Sequence, residues 1–151
     1  MTDMDDYRET LVGLFTEVAI IEHLLRTRME KSQSEGLIAP HFGILNYFVR
    51  NHDGPDTVSG IAWSFQDPED VVRERVEQMA EMGYLHVMPT LGNAEPLVSV
   101  TAEGRAALEE SLNRIEPEIL ELVSEISPDD LARTFQTLRD IRLTLDNLPD
   151  R

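Results

Sequence analysis

Apolar residues recur at helical spacing along most of the chain, and the breaks in that spacing divide it into elements. Tyr7, Leu11, Leu14, Val18, Ile21 and Leu25 alternate steps of four and three, the seam of a long amphipathic helix with coiled-coil character, predicted over residues 5–36. Ser32-Gln-Ser-Glu-Gly36 ends it, with Gly36 suited to a positive-φ cap. A second helix follows, with Pro40 near its first turn and Phe42, Leu45, Phe48 and Val49 apolar. Asp53-Gly-Pro-Asp56 reads as a turn, and Thr57 through Phe65 as a short helix. Pro68 to Met82 reads as another helix: Asp67 can cap it, Pro68 fits its first position, and Glu69 and Asp70 suit its first turn. Val72, Val76 and Met79 form its apolar stripe, and Gly83 stops it.

The period then changes. Tyr84–Met88 and Leu97–Val100 are short strand candidates, separated by the turn-forming residues Pro89 to Pro96. Thr101 can cap the next helix, whose stripe is Leu108, Leu112, Ile115, Ile119, Leu122 and Ile126. Pro117 falls inside that run, where it must kink or divide the helix, because it lacks a donor and crowds the preceding turn. Ser127-Pro-Asp-Asp130 starts a last helix presenting Leu131, Phe135, Leu138, Ile141, Leu145 and Leu148.

The elements predict an α+β, mostly α domain covering residues 1–151. Residues 37–105 make a winged helix-turn-helix with its wing at 84–100, and the terminal helices, 5–36 and 106–148, form a dimerisation arm. So small a domain cannot bury three amphipathic helices by itself, whereas a second copy intertwined with it can. The interface expected is Leu11, Leu14, Phe15, Phe135, Leu138, Ile141 and Leu145; an intramolecular bundle is the alternative.

Composition narrows the chemistry. There is no cysteine, which removes disulfides, thiolate metal sites, cysteine nucleophiles and thiol redox sensing. His23, His41, His52 and His86 have no ligand-like spacing, so no metal and no cofactor is expected. No nucleophile elbow, phosphate loop or zinc-protease motif occurs, and an enzyme is not expected. The acidic N-terminus does not read as a leader, and no apolar run approaches the roughly 20 residues of a membrane span. A cytoplasmic protein without membrane contact is expected.

Five segments in order resemble the MarR family of dimeric winged-helix transcriptional regulators. They are Pro40-His-Phe-Gly-Ile-Leu45, Thr57-Val-Ser-Gly-Ile-Ala-Trp-Ser-Phe65, Gly83-Tyr-Leu85, Leu97-Val-Ser-Val-Thr-Ala-Glu-Gly-Arg105 and Ile126-Ser-Pro-Asp-Asp-Leu131. The fourth is the most specific, with a strand ending in Thr and a Gly-Arg pair opening the next helix. The resemblance covers nearly the whole chain and implies a homodimer with a role in gene control. It also implies a small aromatic effector held between the arm and the winged helix. The pocket candidates are Arg28 as a cation, His41, and the rings of Tyr47 and Phe48.

The charge runs against that resemblance. The chain has 29 acids and 13 bases, net −16, and Lys31 is its only lysine. Acidity of this size repels phosphate at long range. A salt-adapted composition accounts for acidic outer faces, but not for missing cations where DNA contacts belong. Asp67 to Gly83 holds six acids and two bases; residues 84–100 hold no lysine or arginine, with His86 the one potential cation. The family's Asp-x-Arg wing tip corresponds here to Gly92-Asn-Ala-Glu-Pro96.

The DNA-contact candidates are therefore few: Arg73, Arg75, Ser59 and Asn93. Three readings stay open. The chain binds double-stranded DNA weakly; it binds a partner regulator instead; or it binds a small ligand with no nucleic-acid role. Trp63 bears on the choice, either as an exposed anchor for a protein partner or as a ring folded onto the following helix. Gly60, mid-helix, permits a close approach or does nothing.

Overall fold

The computed structural model describes residues 2–31, 37–51 and 54–149. The predicted stop at Ser32–Gly36, His52 and Asp53 lie outside them. The chain forms two compact units, residues 1–53 and 54–151.

The first unit holds α1 (Thr2–Lys31), α2 (Ala39–Asn46) and a π-helical turn, Tyr47–Asn51. Along α1 nearly every side chain is exposed, including Tyr7, Leu11, Phe15, Val18, Ile21 and Leu25; Leu14 is half-buried. Pro40 occupies the first turn of α2, as its fixed φ favours. Phe42, Leu45 and Phe48 are buried, whereas Val49 is exposed. The π turn was not legible in the apolar spacing, which runs across it as though the helix were regular.

The second unit holds α3 (Val58–Phe65), α4 (Glu69–Glu81), β1 (Leu85–Met88), β2 (Leu97–Val100), α5 (Ala102–Leu122) and α6 (Pro128–Asp146). β1 and β2 pair antiparallel in the register Leu85–Val100 to Met88–Leu97. Asp56 adds a third, single-residue rung: its N–H donates to Val98 O at 3.0 Å and its carbonyl accepts from Val98 N at 2.7 Å. The predicted turn at 53–56 thus ends by pairing with the wing. Val58, Ile61, Ala62, Val72, Val76, Met79, Leu85, Val98 and Leu108 are the buried apolar residues of this unit.

Local chemistry sets the boundaries. Thr57, Thr101 and Ser127 each cap a helix, accepting from the N–H of Gly60, Gly104 and Asp130 respectively. Gln66 turns α3 into α4 at φ 55°, a left-handed conformation usually left to Gly or Asn. Gly83 stops α4 at φ 81°. Pro117 does not divide its helix, since α5 continues through it to Leu122. Gly104 explains the Gly-Arg pair physically: a Cβ there would collide with the Tyr84 carbonyl and crowd Val100.

Burial fades toward the C-terminus. Leu108 is buried and Leu112, Ile115 and Ile119 are half-buried, but Leu122 and Ile126 are exposed. In α6 no residue is fully buried. Among the described residues, no helix is long and apolar enough to cross a membrane.

Candidate nucleic-acid interface

In the second unit, α3, the turn at Gln66 and α4 form a helix-turn-helix, and β1 and β2 form the wing beside it. The apolar stripe of α4 faces inward, leaving Glu69, Asp70, Arg73, Glu74, Glu77 and Glu81 exposed. A recognition helix needs donors on that outer face and at its first turn.

Each donor foreseen on the helix-turn-helix is already engaged by a carboxylate of this chain. Arg75 Nη1 donates to Asp67 Oδ2 at 2.7 Å in a partly buried ion pair. This corrects the expectation that Asp67 caps α4: Pro68 takes the cap position without a side-chain bond, and the Asp67 carboxylate goes to the arginine eight residues on. Arg73 lies 3.9 Å from Glu69, one turn back, with both side chains about half exposed. Solvent screens that pair, and it holds the arginine weakly.

Ser59 is engaged more completely. Its N–H donates to Glu95 Oε1 at 3.0 Å and its hydroxyl donates to Glu95 Oε2. Glu95 comes from the loop between the strands, 36 residues away. The two Ser59 bonds hold its carboxyl below the usual carboxylate range; Arg73 adds to the lowering, while desolvation and Asp56 oppose it. The sequence pointed to Ser59 as a DNA contact and gave no signal for Glu95, because no periodicity connects them. Asn93 sits apart from this cluster, exposed at the wing tip beside Gly92, whose φ is 71°.

Two further residues sharpen the surface. Trp63 is 59% exposed on α3. Gly60 lies under the Asp56 carboxylate, which a Cβ there would strike. That carboxylate accepts from Thr57 N–H at 2.8 Å.

The four pocket candidates all fall in the first unit. His41 is buried, and its Nδ1 accepts from Ile38 N–H at 3.2 Å, bracing the start of α2. Phe48 is buried and meets the half-buried Tyr47 edge to face at 5.3 Å. Arg28 is on the exposed surface in the last turn of α1.

The arrangement of these elements can be set beside solved structures. A transcriptional regulator of the MarR family from Rhodococcus sp. RHA1 superimposes with TM-score 0.70 at 15% identity, covering 85% of this chain and 93% of that one. A MarR family protein from Bacillus stearothermophilus gives 0.71 at 14%, covering 91% and 96%. The chain has a MarR-like fold. A mutant of MepR from a multidrug-resistant S. aureus clinical isolate gives 0.72 at 13%, covering 87% and 96%. No family model matches the sequence, and no curated protein matches it. The likeness is one of fold, at 13–15% sequence identity.

Proposed function

We propose that this chain is a homodimeric transcriptional regulator whose helix-turn-helix meets DNA weakly, and that it is not an enzyme. The observation that carries the reading is the engagement of Ser59, Arg73 and Arg75 by the chain's own carboxylates, within a segment of net charge −6 over residues 55–100. Non-specific affinity grows with the number of phosphates neutralised. With at most Arg73 and Arg75 available per subunit, that contribution is small. The dimer in this proposal rests on the exposed apolar residues of α1 and α6, which include Leu11, Phe15, Phe135 and Leu145, with the half-buried Leu14, Leu138 and Ile141 alongside.

The test is fluorescence anisotropy of a labelled duplex from the protein's own upstream region beside a random duplex, titrated from low to moderate salt. Selective binding that weakens with salt, on the shallow slope that few phosphate contacts give, supports direct regulation. No binding at low salt by a dimeric sample refutes it and moves the function to a partner protein. That second reading is favoured by one observation, an exposed Trp63 next to an acidic helix face. An effector response is also part of the proposal. Because His41 and Phe48 are buried, Arg28 and Tyr47 are the candidates accessible to such a ligand.

A further inference from the structure

Glu95 is the only Asp, Glu, Lys or Arg in the wing, residues 84–100. Its carboxylate nevertheless reaches back to the start of α3 and takes both donors of Ser59. Thr57 caps α3 through Gly60 N–H, and Glu95 takes the Ser59 N–H, a second first-turn donor that the helix itself leaves without a partner. The loop that carries it is braced independently: Thr90 Oγ1 donates to the carbonyls of Ala94 and Glu95, and Gly92 supplies the positive-φ turn. The carboxylate thus closes the wing onto the helix-turn-helix, on the face that a winged helix turns toward a nucleic-acid backbone.

We propose that Glu95 is an autoinhibitory latch, which holds the wing on α3 and occupies with a carboxylate the Ser59 donors that a DNA phosphate would otherwise accept from. This rests on the reading that the α3–α4–wing face is the one that meets DNA. Phosphate and carboxylate draw on the same donors, a backbone N–H and a hydroxyl. A carboxylate tethered in the same chain competes at high effective concentration, so an incoming phosphate must displace it. Arg73, though paired with Glu69, is close enough to Glu95 to add to the lowering of its pKa. Weak DNA binding then reflects a built-in competitor as well as general acidity.

The two causes separate by comparing Glu95→Ala with Glu77→Ala. Both remove one negative charge from this unit, and Glu77 lies on the exposed face of α4. Anisotropy of a labelled random duplex at low salt should show Glu95→Ala tightening binding roughly five- to tenfold more than Glu77→Ala. Adding Ser59→Ala to Glu95→Ala should remove most of that gain. Hydrogen exchange should speed at the Ser59 amide in Glu95→Ala and stay unchanged in Glu77→Ala. If the alanine variant unfolds, Glu95→Gln keeps the shape and an acceptor without the charge, and should give a smaller gain of the same sign. Equal gains from Glu95→Ala and Glu77→Ala would overturn the proposal, leaving bulk charge alone. An unchanged Ser59 exchange rate would overturn the latch itself. Faster exchange with no DNA binding in any variant would also overturn it, leaving Glu95 as a brace and placing the failure in the DNA-facing reading.

Discussion

Helices α4 and α6 carry the same kind of apolar stripe and meet opposite fates. In α4, Val72, Val76 and Met79 are all but sealed from solvent. In α6, Phe135 is 65% exposed and Leu145 49%, with Leu138 and Ile141 only half-buried. Helical periodicity says that a face is apolar; it does not say which molecule covers it. For α4 the cover is the rest of its own unit. For α6, as for the exposed stripe of α1, the cover in the function proposed above is a second copy of the chain.

Replacing Leu138 by Asp gives the largest expected effect. A charge buried in a dimer contact is costly, so the variant should elute from a sizing column as monomer or as unfolded chain. An unchanged dimer would break the contrast between α4 and α6. Met79→Ala comes next, because it opens a cavity at a fully buried position. Chemical denaturation should show a loss of about 2–5 kcal/mol. Its effect should be present at every protein concentration, since the packing it damages lies within one chain.

Phe135→Ala sharpens the contrast. At a site so exposed in the isolated chain, the substitution should change stability by less than about 0.5 kcal/mol. Covered by a second copy, it should weaken the dimer by about 2 kcal/mol or more, read as a dissociation constant by analytical ultracentrifugation. The smallest effect belongs to the wing. Glu95 titrates below its ordinary value in the folded chain, through Ser59 and Arg73 and against Asp56. Its contribution is therefore fully present above the ordinary carboxylate range and is lost as pH falls through the lowered value. Unfolding curves of the parent chain and Glu95→Gln should differ at neutral pH and converge in acid.

What the sequence made legible was local. The caps at Thr101 and Ser127, the stop at Gly83 and the stripe of α4 each depend on residues within a turn or two, and all are where the sequence pattern placed them. Interactions that skip along the chain were not legible. Asp67 had the composition of a cap, but an arginine eight residues away outcompeted the helix start for it. Glu95 lay within a stretch of turn formers and bonds both donors of Ser59 on α3. Asp56 looked like the end of a turn and pairs with β2. The poverty of cations at the winged helix is plain from composition; the engagement of the few donors present shows only in the folded chain.

The rung at Asp56 has a mechanical consequence. Two backbone bonds fix it to Val98, its carboxylate accepts from Thr57 N–H, and Thr57 Oγ1 in turn accepts from Gly60 N–H at the start of α3. The wing and α3 are geared through this residue as well as through Glu95, and Gly60 is the clearance that lets the gear mesh. A force that tilts β2 cannot leave α3 behind without breaking that train. Whatever binds the wing, DNA or protein, therefore also turns the first helix of the helix-turn-helix.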